Sequence, residues 1–239
     1  MKFPIWNVNK FMRTGIFECA VITAPAAREG AGENWLAIAN SEMSKRCNPW
    51  QHLQLSDTDY ATMPGFSSSH SGPVMVGFTG HRRVENEGKI AQALHEVIAA
   101  LQREIGGEII GRSSIASGGD TLFAEACRAS KVKWIAQLPF PEAEFKKDFS
   151  ESDWKRAKEL LDYAERVEVL SDTVKRPDGY LLCGLSTVEE ADLMIALWDG
   201  KASRGLGGTA QIVAHARLVQ KPLLLISSAT LEVTREQFT

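Results

Sequence analysis

Long apolar runs, cysteine motifs and a strong net charge are all missing from this 239-residue chain. No apolar run approaches the ~18 residues that a membrane-spanning helix needs, and the first residues lack the apolar core of a signal peptide. We therefore expect a cytoplasmic protein without a membrane partner. The cysteines are widely spaced and include no Cys-x-x-Cys pair, so the sequence predicts reduced, mostly buried thiols rather than a disulfide framework or a zinc site. They are Cys19, Cys47, Cys127 and Cys183.

The charge balance argues against affinity from a general basic surface. The net charge is -3, with 44% hydrophobic and 24% charged residues, which is typical of an ordered globular protein and not of a disordered one. Nucleic acid is therefore not the expected partner, although the basic run at residues 81–83 can still bind a few phosphates.

Residues 1–72 differ from the rest and are interpreted as a small irregular N-terminal appendage. They contain scattered aromatics and close on a Pro-, Gly- and Ser-rich stretch at 64–73 that is typical of a linker. Within them, 16–23 fits a strand and 34–46 a short helix. Three tryptophans suggest docking on the chain's own domain or on a second subunit; they are Trp6, Trp35 and Trp50.

From residue 73 onward the sequence predicts one α/β domain, a three-layer Rossmann-like parallel sheet with helices on both faces. Short apolar runs alternate with segments of helical apolar spacing. The expected strands are 74–79, 109–116 with a polar interruption at 111–114, 132–138, 166–170, 193–198 and 222–227. The expected helices are 85–105, 120–130, 152–165, 186–192 and 209–219.

The turn after the first strand carries the first candidate ligand residues. The Thr79 hydroxyl can hydrogen-bond a phosphate, Gly80 admits close approach, and His81 and Arg82 can bind phosphate oxygens. A tight turn with solvated basic residues is the alternative.

A second glycine turn, residues 117–121 (SGGDT), precedes a helix that Asp120 can cap. Its glycine amides, at Gly118 and Gly119, can instead face a phosphate or ribose, with Asp120 or Thr121 adding a side-chain contact. Glu125 follows one turn later and can reach a ribose hydroxyl or a base, or can be an ordinary surface carboxylate.

A third turn follows the fifth expected strand and offers the strongest anion site. Asp199 stands at the strand's carboxyl end, and the polar loop after it suits a lid. Gly207, Gly208 and Thr209 then begin a helix whose N-terminus can bind a phosphate. Residues 139–141 (PFP), after the third strand, can wall off a base or merely turn the chain. No metal site, cofactor or nucleophilic triad is predicted.

Taken together and in this order, the three turns resemble the SLOG superfamily of Rossmann-like domains, which includes DNA-processing protein A and the lonely-guy phosphoribohydrolases. The resemblance covers residues 74–227 and is carried by 77–82 (GFTGHR), 117–121 (SGGDT) with Glu125, and 199–210 with its GLGGTA end. It implies a nucleotide or nucleotide-derived ligand, and a homo-oligomer by analogy.

The chain departs from the phosphoribohydrolases at one position. Their Pro-Gly-Gly-x-Gly-Thr-x-x-Glu motif ends in a catalytic carboxylate, where this chain has Ile212 beside Gln211. We therefore expect binding or sensing of a nucleotide-derived ligand, such as an ADP-ribose derivative or a nucleoside monophosphate. The alternatives are an N-glycosidase that uses Asp120, Glu125 or Asp199 instead, and a single-stranded nucleic-acid binding module.

Overall fold

The structure is a computed structural model that describes residues 72–171, 176–203 and 205–237. The predicted appendage, with its strand at 16–23, its helix at 34–46 and its three tryptophans, lies outside the described residues except for residue 72. The domain boundary at residue 72 therefore stays a prediction.

Within the described residues, seven strands form one sheet in the order β4-β3-β2-β1-β5-β6-β7. Strands β1 to β6 are parallel, and β7 is antiparallel to β6. The chain moves outward from β1 to β4 and then crosses to β5 on the other side of β1. The loops after β1 and β5 therefore diverge, which in open α/β sheets creates a crevice for ligands. The strands are β1 (Val74–Gly80), β2 (Ile109–Ser113), β3 (Lys133–Leu138), β4 (Arg166–Val169), β5 (Leu193–Trp198), β6 (Leu223–Ser227) and β7 (Val233–Glu236).

Helices connect the parallel strands and carry their apolar residues at helical spacing. The helices are α1 (Glu87–Ile105), α2 (Gly119–Ala129), α3 (Glu142–Phe145), α4 (Glu151–Tyr163), α5 (Arg176–Glu190) and α6 (Thr209–Leu218), with a 3-10 turn at Lys146–Asp148. The longest, α1, buries Ile90, Leu94, Val97, Ile98 and Leu101 as one stripe and ends at Gly106 in a left-handed conformation.

Two neighbouring residues of β1 show how both faces of the sheet are covered. Phe78 stacks on Phe123 of α2, with ring centroids 4.6 Å apart. Gly77 faces α5, and a Cβ there would lie 2.8 Å from Ala191 Cβ and 3.2 Å from Thr187. Because successive strand residues point to opposite faces, α2 and α5 lie on opposite sides of the sheet. The predicted three-layer α/β fold is confirmed.

The predicted polar interruption at 111–114 is wrong, because residues 111–113 pair within β2. Gly111 leaves room for Cys127, whose Sγ would lie 2.7 Å from an added Cβ. Arg112 is 2% exposed and donates to Glu168 on β4 at 2.5 Å. A buried charge is tolerated when it is paired, and here the partner comes from 56 residues away. The strand ends at Ser113, not at residue 116.

Three further elements differ from the prediction. Helix α5 begins at Arg176, ten residues before the expected start at 186, and neither α3 nor β7 was predicted. In the described residues, no helix is long and apolar enough to cross a membrane. Cys127 and Cys183 are free and buried, as expected, whereas Cys19 and Cys47 lie outside the described residues.

Candidate anion-binding site

The three glycine turns meet at the carboxyl edge of the sheet. The first follows β1, the second leads into α2, and the third connects β5 to α6. Thr79 and Gly80 are half-buried at the end of β1, where Gly80 pairs with Leu197 of β5. A Cβ on Gly80 would lie 2.8 Å from the Phe78 ring and 3.1 Å from Gly119 Cα. Glycine is thus needed at this position for packing.

The first and second turns are in direct contact. The Gly119 N–H donates to the His81 carbonyl at 2.9 Å, so this amide is already occupied within the protein. Gly118 has a φ of 88°, and a Cβ there would lie 2.4 Å from the Arg82 carbonyl oxygen. The second turn therefore supports the backbone of the first.

Asp120 lies in the first turn of α2 and is 8% exposed. Burial raises its pKa to about 7, although Arg82 and the N–H groups of Ala116 and Gly80 act in the opposite direction. The prediction that Asp120 caps α2 is wrong, because Gly118 is the N-cap residue and has no side chain to offer. Asp120 is instead a buried carboxyl group between the first two turns.

Thr121 is used within the second turn. Its hydroxyl donates to the Ala116 carbonyl at 3.0 Å, and the residue is 4% exposed. This hydrogen bond closes the segment between β2 and α2. It accounts for Thr121 without a ligand.

His81 and Asp199 join the loops after β1 and β5 across the topological switch point. The Asp199 N–H lies 3.0 Å from His81 Nε2, and Asp199 Oδ1 lies 3.1 Å from the same nitrogen. Nε2 accepts from the N–H when the imidazole is neutral and donates to Oδ1 when it is protonated. Burial would raise the pKa of Asp199, but the Lys201 N–H and His81 outweigh it, and the pKa is lowered.

Arg82 and the third turn are brought together by Tyr180 of α5. The Arg82 guanidinium lies 4.4 Å from the centre of the Tyr180 ring. Gly207 has a φ of 73°, and a Cβ there would lie 2.8 Å from the Tyr180 carbonyl carbon and from Leu181 N. The Tyr180 hydroxyl donates to Asp148. One residue of α5 therefore contacts both the first and the third turn.

Phe140, from the PFP segment, is buried beneath α5. It is 4% exposed and meets the Tyr180 ring edge-on at 5.6 Å. A Cβ on Gly179 would lie 2.5 Å from the Phe140 ring, so the helix and the ring pack closely. Phe140 thus supports the Tyr180 wall of the site from below.

The third turn ends in the N-terminus of α6, with Gly208 as the N-cap residue. The N–H groups of Thr209 and Ala210 belong to the first helical turn, where N–H groups lack acceptors within the helix. No acidic residue lies in that turn. The Gln211 side chain accepts the Gly207 N–H at 2.9 Å and so fixes the turn from inside the helix. This helix start has the polarity that favours an anion.

Glu125, a candidate catalytic residue from the sequence, is held elsewhere. Its two carboxylate oxygens accept from Arg156 Nε and Nη2 at 2.6 and 2.7 Å. Arg156 lies on α4 and also donates to Glu87 of α1 at 3.0 Å. This network joins three helices of one layer and accounts for Glu125 without a ligand.

Ile212, at the position of the expected catalytic glutamate, is 1% exposed. It packs in the core against Val188, Met194 and Leu223. A Cβ on Gly184 would lie 2.3 Å from Ile212 Cδ1. This position faces the sheet and α5, so the missing glutamate is replaced by core packing.

Sequence reasoning did not identify Tyr180. It lies among Pro177, Gly179 and Gly184, residue types that usually end helices, so its place on a helix beside the site was not visible. Among the described residues there is no group of three or more His, Cys, Asp or Glu side chains that could hold a metal ion.

No protein-family model matches the chain, and no curated protein matches it. Solved structures with a similar chain trace include the X-ray structure of DNA processing protein A from Streptococcus pneumoniae, with 18% identity and a TM-score of 0.48. They also include a structure on the single-stranded DNA binding mode of DNA processing protein A from Helicobacter pylori, with 20% identity and a TM-score of 0.44. The matches cover 64% of this chain, 50% of the first protein and 65% of the second. Likeness at this level does not transfer a function to this chain.

Proposed function

We propose that this chain binds a nucleotide or nucleotide-derived ligand, of the ADP-ribose or nucleoside monophosphate class, at the carboxyl edge of its sheet. The observation that carries the proposal is the convergence of the three turns. Gly118 packs on the backbone of Arg82, His81 meets Asp199, and Arg82 and Gly207 share Tyr180.

The charges of these groups suit a phosphate. Arg82 is exposed, so its guanidinium can turn from the Tyr180 ring to a ligand's oxygens. The start of α6 adds backbone N–H groups and the positive end of the helix dipole. Asp199, whose carboxylate stays ionised at neutral pH, suits a donor such as a ribose hydroxyl. Phosphate and sugar thus each have a complementary group.

Binding without catalysis is favoured because two positions considered for a catalytic carboxylate, 212 and 125, face the core or form an ion pair away from the site. Ile212 occupies the core, and Glu125 is bound by Arg156. Asp120 supports the second candidate, an N-glycosidase, because a carboxyl group with a pKa near 7 suits a general acid at neutral pH. Only the glycosidase would release a free base from the nucleotide, so the released base distinguishes the two functions.

The first experiment incubates the protein with AMP, NAD, ADP-ribose, inorganic pyrophosphate and a single-stranded oligonucleotide. Thermal shift measures binding, and chromatography measures released base. Stabilisation by the nucleotides without released base supports the proposal. Released base that is lost in Asp120→Asn would make the protein a glycosidase, and stabilisation by the oligonucleotide alone would favour a nucleic-acid module. No stabilisation by any compound would refute the site.

Gly208→Asp and Gly208→Asn form a matched pair that tests the α6 end of the site. Both side chains can cap the helix, and Gly208 has a φ of -72° that either residue tolerates. Both displace the Ser203 hydroxyl, which lies 2.2 Å from an added Cβ. Only aspartate places a negative charge at the anion site, so we expect it to weaken AMP binding by about tenfold or more relative to asparagine. Equal affinities of the two variants in calorimetry would exclude phosphate from this helix end.

A further inference from the structure

Asp120 and Arg82 lie where the first two turns meet. Gly118, two residues before Asp120, packs on the Arg82 carbonyl, and the charge of Arg82 acts on the Asp120 carboxyl group. The carboxyl group is enclosed between the first two turns, whereas the guanidinium is exposed above Tyr180. Arg82 is also the side chain that the proposed function assigns to phosphate. A phosphate at this site would therefore bind the same Arg82 guanidinium whose charge partly offsets the buried Asp120 carboxylate.

The other titratable groups around Asp120 offer no replacement for Arg82. From α5, Cys183 faces it, and burial together with Asp120 raises the pKa of that thiol to about 12, so it is neutral. From β2, the Arg112 guanidinium lies farther in and is bound to Glu168. His81, in the same turn as Arg82, contacts Asp199. The Gly80 and Ala116 N–H groups donate to Asp120 and lower its pKa, but they carry only partial charges and cannot replace a full positive charge.

A phosphate bound by Arg82 would bring a second negative charge close to a carboxylate that water does not screen. Repulsion between like charges is strong in such surroundings, and a carboxyl group relieves it by taking up a proton. A neutral Asp120 would remove this repulsion.

We propose that Asp120 takes up a proton from solvent when a phosphate-bearing ligand binds at Arg82, so that the liganded site contains a neutral carboxyl group. The inference rests on the proposed function and identifies the residue that makes ligand binding depend on pH. Since the pKa of Asp120 in the free protein is about 7, the carboxyl group is largely ionised just above neutral pH and has a proton to gain. By linkage, alkaline pH must weaken binding and acidic pH must strengthen it.

The test is calorimetry with ADP-ribose in buffers of different ionisation enthalpy. Each phosphate of ADP-ribose has one ester bond and one anhydride bond and keeps a constant charge near neutral pH, so the ligand itself contributes no proton. At about pH 8 we expect uptake approaching one proton, and above about pH 7 an affinity that falls by up to about tenfold per pH unit. Asp120→Asn keeps the shape of the side chain, and we expect it to bind with no uptake and a flat pH profile.

His81 lies in the same turn as Arg82 and contacts Asp199, so His81→Gln is the second variant. Uptake that persists in His81→Gln and disappears in Asp120→Asn assigns the proton to Asp120. ADP-ribose binding without proton uptake in the wild type, or uptake lost in His81→Gln alone, would overturn the inference and leave the proposed function standing. If neither ADP-ribose, AMP nor pyrophosphate binds at any pH, the proposed function itself fails. If the Asn variant does not fold, the proton counts of the wild type and of His81→Gln together decide the question.

Discussion

Asp120→Asn should stabilise the unliganded protein, and increasingly so as pH rises. Folding raises the pKa of this carboxyl group from 3.8 to about 7. The shift of about 3 units corresponds to about 4 kcal/mol at 1.36 kcal/mol per unit. Because the folded-state pKa is raised, the cost is absent below about pH 4, grows as pH rises and is complete above about pH 7. Asparagine has nearly the same shape, keeps one oxygen that can accept a backbone N–H, and never carries the charge.

The assay is urea unfolding of both proteins across this pH range. The gain from Asp120→Asn should be small at about pH 4 and approach about 4 kcal/mol at about pH 8, or about 8–16 °C in Tm for a chain of this size. Asp199→Asn is the control, because the pKa of Asp199 is lowered by folding and its removal should not stabilise the protein. A stability difference for Asp120→Asn that does not change with pH would refute the argument from burial.

Two other substitutions test the packing beneath the site. Gly118→Ala should destabilise the protein by at least about 2 kcal/mol in urea unfolding, because φ is 88° and the new Cβ would meet the Arg82 carbonyl. The same variant should weaken AMP binding. Unchanged stability would mean that the first and second turns are not in contact. Glu168→Gln should cost about 3–5 kcal/mol by leaving Arg112 buried without a counter-ion, and the double variant Arg112→Met/Glu168→Leu should recover most of this loss. A double variant as unstable as the single one would contradict the pairing.

Strand and helix periodicity predicted most of the fold. The bounds of β5 match the prediction, and those of β1 and α1 differ by one or two residues at one end, because their apolar residues repeat with one clear period. The short β7 was missed since its four half-buried residues carry no apolar run. The polar residues in β2 were misread because the partner of Arg112 is far along the chain.

The start of α5 was hidden by residues that usually end helices. Pro177 lies in the first turn, where its missing N–H has no cost. Gly179 and Gly184 are required because the Phe140 ring and Ile212 occupy the space of a side chain. Composition cannot distinguish a glycine that bends the chain from one that admits a neighbour.

The location of the candidate site followed from the glycine turns, but its internal partners did not. That Gly119 donates to His81, that Asp120 is buried beside Arg82, and that Gln211 holds Gly207 all depend on contacts between separate loops. The roles of these residues toward a ligand stay predictions, as do a homo-oligomer and a cytoplasmic location.

The burial of Ile212 limits where a catalytic carboxylate could be introduced to convert this protein into a hydrolase. A glutamate at position 212 would enter the apolar layer between α6 and α5, where it would remain protonated or disrupt packing against Gly184. The neighbouring positions Ala210 and Gln211 are half-exposed, and a carboxylate is tolerated more easily there. A catalytic carboxylate would thus have to be placed at another position, since residue 212 faces the core.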